Sequence, residues 1–337
     1  MADSQSAGAS ITVDRDGTVH LGARTIPVPT TVSPEARKYL ATPPWSDSAP
    51  PPNVPLWELH TTFDSMFKML AEMAPSAYPV EVEEQRVAGV RTDLVSPTAV
   101  GEGKQERVLI NLHGGGFVLG SPPALAEAIP IANLTKTPVI VVDYRLAPEH
   151  PFPAALDDIV AVYKELLKRY RPNNIGVFGS SAGAILTAEA AVRFRQLGLG
   201  QPAALGIFSG SGDLSDCGES MAMYTLFGFW GELLRPFDDP ASEFNAYLGS
   251  HDPRDPVVSP IYGDLMGFPP TLLMTGTRDF LLSPTTIFHR ALRRSGVEAE
   301  LIVFEAMPHC HWLAVHLPES KEALGIVADF FDRKLGQ

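Results

Sequence analysis

The sequence predicts an α/β fold with a mostly parallel sheet of eight strands flanked by helices. From residue 79 onward, short β runs alternate with amphipathic helical patterns, which is typical of strand–helix–strand units. Residues 107–112 and 139–142 are almost continuously apolar, as expected of central strands covered on both faces. The chain has 337 residues, of which 45% are hydrophobic and 19% charged. This composition excludes disorder over most of the length, and the length allows one or two domains.

The predicted elements follow one another along the chain. Two strands are expected within 80–95, and the others over 107–112, 139–142, 175–178, 204–208, 271–275 and 301–304. Helices are expected over 154–170, 182–197, 283–296 and 318–335. In the first of these, the apolar positions keep to one helical face. The third is expected to open at Ser283 and Pro284, because serine caps helices and proline suits the first helical position.

Two segments lack this rhythm. Residues 1–79 are rich in proline and show only short helical patterns, such as the one over 54–74, so we expect them to fold onto the rest of the protein. Residues 213–262 are rich in Phe, Trp, Pro and Asp without regular strands, which indicates an inserted, lid-like segment. Its aromatic-rich stretch either lines a pocket or packs the segment onto the core. This stretch contains Phe227, Phe229, Trp230, Leu233 and Phe237.

Charge and cysteine content exclude several classes of protein. The 39 acidic and 26 basic residues give a net charge of −13, which disfavours nucleic acid and stable membrane association. Cys217 and Cys310 are far apart and match no metal-binding spacing, so neither a disulfide framework nor a structural zinc site is indicated. Residues 1–10 lack the features of a signal peptide, and no run of about 18 apolar residues occurs. We therefore expect a cytoplasmic protein.

A Gly-x-Ser-x-Gly sequence stands between a predicted strand and a predicted helix. Gly179-Ser180-Ser181-Ala182-Gly183 follows the strand over 175–178 and opens the helix over 182–197. This context matches a nucleophile elbow, in which a strained turn exposes the serine Oγ and glycines let strand and helix approach closely. The helix N-terminus also places partial positive charge beside a developing oxyanion. Ser181 is therefore the predicted nucleophile, and a chance match of the pattern is the alternative.

A second motif lies about 65 residues earlier in the chain. His113-Gly114-Gly115-Gly116 directly follows the predicted strand over 107–112. Three consecutive glycines leave backbone N–H groups unshielded, so a substrate carbonyl can approach them as in an oxyanion hole. A flexible glycine turn is the alternative, but the elbow further along the chain favours the oxyanion hole.

These two motifs and the sequence between them resemble a known family. Residues 143–158, Asp-Tyr-Arg-Leu-Ala-Pro-Glu-His-Pro-Phe-Pro-Ala-Ala-Leu-Asp-Asp, join the glycine run to the elbow. The combination resembles the hormone-sensitive-lipase-like carboxylesterases of the α/β-hydrolase superfamily over about residues 80–335. One position departs from that family, because Ser180 stands where Asp or Thr is more frequent.

The resemblance implies an α/β-hydrolase fold with a helical cap over the catalytic core. It implies Ser181 as the nucleophile and three backbone donors for the oxyanion, at Gly115, Gly116 and Ala182. Residues 143–158 are expected to brace the loop and helix start around them. The expected domains are an N-terminal cap segment over 1–79, a catalytic core over 80–212 and 263–337, and an inserted cap segment over 213–262.

The general base is expected to follow the elbow in the chain, because later strand ends deliver the acid and the base. His289 falls inside a predicted helix and His316 lies near the start of the last one, so both are expected in surface or packing roles. His309 and His311 follow the strand over 301–304. Met307-Pro308-His309 resembles the family's Gly-Met-x-His segment, which favours His309. A metal site at His309 and His311 has no supporting carboxylate pattern.

Two aspartates are topologically allowed as the acid. Asp213 follows the strand over 204–208, and Asp279 follows the strand over 271–275. Gly276-Thr277-Arg278-Asp279 resembles the family's acid loop and lies 30 residues before His309, which leaves room for one helix and one strand. Asp279 is therefore the predicted acid, and it would orient His309 to accept the Ser181 proton.

The predicted function is hydrolysis of short-chain acyl esters by Ser181, His309 and Asp279 through an acyl-enzyme intermediate. This chemistry needs no metal and no organic cofactor, and the expected partner is a small-molecule ester. One alternative is a lactone or amide hydrolase with the same triad, because residues 27–35 faintly resemble bacterial lactone hydrolases. Another is a non-catalytic binding protein on the same fold, which the presence of His309 disfavours. The oligomeric state is open, with a homodimer among the options.

Overall fold

The computed structural model describes residues 12–15, 19–20, 26–41, 68, 72, 74, 76–120, 122–224 and 242–336. Most of the helical pattern over 54–74 and the aromatic stretch over 227–237 lie outside these residues. The extents of the two cap segments therefore stay predictions.

Eight strands of the described chain form one sheet, in the order β10-β9-β8-β7-β5-β6-β4-β3, and β1 and β2 form a separate pair. The strands are β1 Thr12–Val13, β2 Val19–His20, β3 Val80–Val87, β4 Val90–Pro97, β5 Val108–Leu112, β6 Val139–Val142, β7 Ile175–Ser180, β8 Ala204–Phe208, β9 Thr271–Arg278 and β10 Ala299–Pro308. Within the large sheet β4 runs antiparallel to both of its neighbours, β3 and β6. All the pairings among strands β5 to β10 are parallel. The predicted mostly parallel, eight-stranded α/β sheet is confirmed.

Burial follows the position of each strand in the sheet. Every residue of β5, β6, β7 and β8 is buried, which explains why these segments are continuously apolar in sequence. The outermost strand β3 has exposed side chains at most positions, among them Glu81, Glu83 and Glu84. Charges on an edge strand oppose pairing with a further strand.

Helices cover both faces of the sheet. They are α1 Pro34–Ala41, α2 Pro122–Thr135, α3 Ala154–Leu166, α4 Ala182–Gln196, α5 Glu243–Leu248, α6 Leu282–Arg294 and α7 Pro318–Lys334. One hydrophobic layer joins the sheet to α3, α4 and α6, and the other joins it to α1, α2 and α7. Neighbouring residues of β5 alternate between the two layers, with Ile110 in the first and Leu109 in the second.

The N-terminal helix α1 docks on the core, as expected of the N-terminal segment. Its buried residues Ala36 and Leu40 belong to the same hydrophobic layer as α7. Ser33 fixes the start of the helix, because its backbone N–H and its hydroxyl donate to the two carboxylate oxygens of Glu319, at 2.7 and 2.9 Å.

Two features of the helices differ from the sequence prediction. Helix α2 was not predicted, because it is almost uniformly apolar and contains three prolines, so no amphipathic period marks it. The predicted N-cap at Ser283 is wrong, since α6 already begins at Leu282. Ser283 instead exchanges hydrogen bonds with Ser220: each hydroxyl accepts from the other residue's backbone N–H, at 2.9 and 3.1 Å.

Candidate active site

Ser181 occupies a strained turn between β7 and α4. Its backbone has φ 57° and ψ −123°, a conformation that L-residues rarely adopt, and its N–H donates to the carbonyl of Phe208 at 2.9 Å. The turn is this tight because the helix starts directly against β5. A Cβ at Gly179 or at Gly183 would overlap the carbonyl oxygen of Leu112. The glycines at both ends of the motif are therefore required by packing, as the elbow prediction expects.

The glycine run lies beside Ser181. A Cβ added to Gly114 would come within 3.2 Å of the Cβ of Ser181. Gly115 and Gly116 have φ of 117° and 59°, a region that favours glycine. Among the described residues, no protein group accepts a hydrogen bond from the backbone N–H of Gly115, Gly116 or Ala182. These three amides are therefore available to a ligand next to the serine.

Tyr144 and His113 stabilise this glycine loop. The two rings stack with centroids 4.1 Å apart and an interplanar angle of 6°, and the Tyr144 hydroxyl donates to the His113 carbonyl at 2.6 Å. Burial lowers the pKa of His113, so the neutral ring donates Nδ1–H to the carbonyl of Gly114 at 2.7 Å. Sequence analysis missed this contact, although Tyr144 lies within the family-like stretch over 143–158.

Asp279 and His309 form a buried pair. His309 Nδ1 lies 2.9 Å from Asp279 Oδ1, and the side chains are 6% and 0% exposed. Asp279 also accepts from the hydroxyls of Ser209 and Thr275 and from the backbone N–H of Leu281. Burial raises the pKa of the Asp279 carboxyl, but the charge of protonated His309 and the hydrogen bonds from His309, Ser209 and Leu281 outweigh that effect, so the pKa lies below its ordinary value. An ionised Asp279 fixes the proton of a neutral His309 on Nδ1 and leaves Nε2 as the basic atom.

The other candidate acid has a structural role. Asp213 accepts from the backbone N–H groups of Ser215 and Asp216 and from the hydroxyls of Ser215 and Tyr262. This is an Asx turn, which holds the loop after β8. The structure pairs Asp279, and not Asp213, with a candidate base.

The structure does not pair the other histidines considered as the base with Asp279. His289 lies in α6 with its Nε2 3.3 Å from the carbonyl of Ala299, and His316 is exposed just before α7. His311 is 1% exposed and packs against Phe304. Neither ring nitrogen of His311 has a hydrogen-bond partner among the described residues. Burial lowers the pKa of His311 to about 4, so the ring is neutral at pH 7.

Ser209 links the three strand ends that carry these groups. Sheet register places Ser180 of β7 opposite Phe208 of β8, and Phe208 opposite Met274 of β9. Ser209, the next residue, donates to Asp279, and its hydroxyl accepts from the backbone N–H of Cys310 at 3.4 Å. The elbow, acid loop and histidine loop are therefore joined through one short segment. Sequence analysis missed Ser209, although its position directly after a central strand was a usable signal.

Two further properties concern the described part of the chain. It contains no cluster of three or more His, Cys, Asp or Glu side chains arranged to bind a metal ion. None of its helices combines the length and apolar character needed to cross a bilayer. In addition, Cys217 and Cys310 are both buried and free.

Known proteins share this fold and sequence. Residues 109–313 match the family model of the α/β-hydrolase fold. An esterase of Acinetobacter venetianus is 32% identical over 265 residues, which are 77% of this chain and 85% of that protein. An acetyl-hydrolase of Streptomyces hygroscopicus is 33% identical over 236 residues, which are 68% of this chain and 77% of that protein.

Solved structures are similar over nearly the whole length. A crystal structure of an esterase aligns with a TM-score of 0.82 and 33% identity, covering 94% of this chain and 98% of its own. An esterase from the bacterial hormone-sensitive lipase family aligns with a TM-score of 0.75 and 30% identity, covering 90% and 99%. The chain therefore belongs to the α/β-hydrolase family, as a carboxylesterase of its hormone-sensitive-lipase group.

The buried His311 predicts a loss of stability in mild acid. Its pKa is about 6.5 in the unfolded chain and about 4 in the folded protein, so the unfolded state binds the proton more tightly. Stability from the neutral ring is fully present above pH 6.5 and is lost as the pH falls from there towards 4. Between pH 7 and pH 5, this single group lowers the free energy of unfolding by about 2 kcal/mol.

Urea unfolding of His311→Phe at pH 7 and pH 5 measures this contribution. We expect the variant to lose about 2 kcal/mol less than the wild type over this interval. His316→Gln, which removes an exposed histidine, is the matched control and should keep the wild-type difference. The same pH dependence in His311→Phe and wild type would contradict the prediction.

Proposed function

We propose that this carboxylesterase hydrolyses short-chain acyl esters with Ser181 as nucleophile, His309 as base and Asp279 as the acid that orients it. The observation that carries the proposal is the buried His309–Asp279 hydrogen bond of 2.9 Å at the sheet edge where the elbow presents Ser181. Gly115, Gly116 and Ala182 are the proposed oxyanion donors, because their N–H groups are unpaired within the described residues.

The reaction proceeds in two halves. Ser181 Oγ attacks the ester carbonyl carbon while His309 Nε2 takes the hydroxyl proton, and the three amides stabilise the resulting oxyanion. Collapse of the tetrahedral intermediate breaks the bond to the alcohol, which leaves with the proton from His309. Water then attacks the acyl-enzyme with His309 as base, which releases the acid and restores Ser181. Asp279 stabilises the imidazolium in both halves.

The substrate proposal rests on a proposed cap over the site. Tyr247, in helix α5 of the segment over 213–262, stacks on Phe117 with ring centroids 3.9 Å apart, and Phe117 is the residue after Gly116. This contact supports the proposal that residues 213–262 and 1–79 form a cap over the site. A cap limits the depth of the acyl pocket. The acetyl-hydrolase of Streptomyces hygroscopicus among the relatives supports the same substrate class. Lactones and amides stay the alternative substrates.

Removal of the nucleophile tests the reaction itself. Ser181→Ala should fold normally and lose about 10⁴-fold or more in ester hydrolysis, because nucleophile and base act as a unit. An organophosphate should add covalently to Ser181 of the wild type, as peptide mass mapping can show. Retained activity in Ser181→Ala, or a label on another serine, would refute the assignment.

The two aspartates should respond differently to the same substitution. Asp279→Asn should lower kcat by several orders of magnitude, about 10⁴-fold, because the histidine is then held in the wrong tautomer. Asp213→Asn should change kcat little, since an amide oxygen can still accept from Ser215 and Asp216 in the Asx turn. Steady-state kinetics of both variants test this difference. A larger loss of kcat in Asp213→Asn than in Asp279→Asn would identify Asp213, in the loop after β8, as the acid.

Acyl-chain length tests the covered pocket. The specificity constant kcat/KM for nitrophenyl esters should be greatest at about two to six acyl carbons, because a methylene beyond the pocket gains none of its usual ~0.8 kcal/mol. Activity should not rise when a triglyceride substrate forms an emulsion. A maximum at long chains, or activation at the emulsion interface, would identify a lipase and refute the proposed cap.

A further inference from the structure

A buried carboxyl group lies behind the catalytic loops and has no part in the proposed reaction. Glu127, on helix α2, is 2% exposed. Its Oε2 accepts from the Asn111 side-chain N–H at 2.8 Å. Its Oε1 accepts from the Ser180 hydroxyl and from the Trp312 indole N–H, the latter at 3.0 Å. Within the described residues no Lys, Arg or His forms an ion pair with it.

The three donors come from the three loops of the site. Asn111 lies two residues before His113 and the glycine run. Ser180 directly precedes the nucleophile Ser181. Trp312 lies three residues after His309, in a short 3₁₀ turn. A single carboxyl group therefore joins the glycine run, the elbow and the histidine loop through hydrogen bonds.

We propose that Glu127 is a positioning residue that holds these three loops in register for catalysis. The inference rests on the proposed function, because it assumes that Ser181 and His309 react as described above. None of the hydrogen bonds of Glu127 goes to Ser181, His309 or Asp279. It acts through Ser180 and Trp312.

The energetics of the buried carboxyl make this role specific. Burial raises the pKa of Glu127, and the hydrogen bonds from Ser180, Asn111 and Trp312 oppose that rise. An uncompensated carboxyl is costly in such a place, so the network is stable only with its donors in position. Ser180 and Trp312 share one oxygen, and the indole N–H also lies 3.2 Å from the Ser180 hydroxyl. A shift of the histidine loop therefore disturbs the elbow directly.

Packing strengthens the same connection. The Trp312 ring meets Phe208 edge to face, with centroids 5.9 Å apart at 75°. The carbonyl of Phe208 accepts the backbone N–H of Ser181. The indole is thus tied to the nucleophile by its N–H through Glu127 and Ser180, and by its ring through Phe208.

Two substitutions of Glu127 separate positioning from bulk packing. Glu127→Leu removes every acceptor and should lower kcat about 100-fold, with KM within about threefold of wild type, because a small misplacement of reacting groups costs about that much. Glu127→Gln keeps one oxygen for Ser180 and Trp312. Its amide N–H can donate a hydrogen bond to Asn111 Oδ1, which has no partner among the described residues. We expect Glu127→Gln to keep kcat within about threefold of wild type.

Removal of one donor at a time tests the same network without deleting the carboxyl. Trp312→Phe removes only the indole N–H and the second ring, and should lower kcat about tenfold. Added to Glu127→Leu, it should cost less than it does alone, because the carboxyl group that accepts the indole N–H is already absent. If the two losses multiply, the residues act independently and the proposal is wrong. If Glu127→Leu does not fold, kcat of Trp312→Phe alone tests the proposal, and a value within threefold of wild type would overturn it.

Stability and activity are measured separately. Each kcat is normalised to the Ser181 sites titrated by an organophosphate, and each melting temperature is recorded. Tyr163→Phe is the matched control. Tyr163 lies on helix α3, and the substitution deletes its part-buried hydrogen bond of 2.6 Å to the Gly200 carbonyl, so it should lower the melting temperature without changing kcat.

The outcomes distinguish this proposal from the proposed function. Two results with an active wild type would overturn the positioning role alone. One is a kcat of Glu127→Leu within threefold of wild type, and the other is an equal loss of kcat in Glu127→Gln and Glu127→Leu. A wild type inactive on every ester would overturn the proposed function and the positioning role with it. The expected result is a loss of kcat in Glu127→Leu, a kcat close to that of the wild type in Glu127→Gln, and a nearly unchanged KM.

Discussion

The close approach of helix α4 to strand β5 is the constraint on which the site depends. Neither Gly179 nor Gly183 has room for a Cβ against the Leu112 carbonyl, and this contact forces Ser181 into its positive-φ turn. The same approach places Gly114 against Ser181, so the proposed nucleophile and the proposed oxyanion loop are positioned by one packing contact. Since β5 and β7 are neighbouring parallel strands, their carboxyl ends lie at one edge of the sheet.

The two buried carboxyl groups of the candidate site, Asp279 and Glu127, have contrasting environments. Asp279 faces an imidazole that can become positively charged, and the pKa of its carboxyl lies below the ordinary value. Glu127 faces only neutral donors, and burial raises its pKa. The first environment suits a group that stabilises developing charge. The second suits a group that fixes geometry, because hydrogen bonds from neutral donors are directional and depend on the position of each partner.

Strands and helices could be predicted from the sequence wherever a single physical signal, such as a continuous apolar run, marked them. The strands β5 to β8 read as apolar runs because both their faces are covered, and the predicted and observed bounds agree within two residues. Helix α2 gave no such signal, since it is buried on most sides and interrupted by prolines. Ser283 illustrates the opposite case: a local capping pattern was overridden by the tertiary hydrogen bonds between Ser283 and Ser220.

The sequence by itself determined the class of fold, the nucleophile elbow and the glycine run, because each depends on residues that are neighbours in the chain. It narrowed the candidate acid and the candidate base to two residues each, and the family resemblance favoured Asp279 and His309. Only the tertiary structure paired Asp279 with His309, assigned Asp213 to an Asx turn and showed His311 as a buried neutral ring. It alone revealed Tyr144, Ser209 and Glu127, whose partners are 16 to 185 positions away in sequence. Such contacts have no local pattern, because they arise where separate strand ends meet at one edge of the sheet.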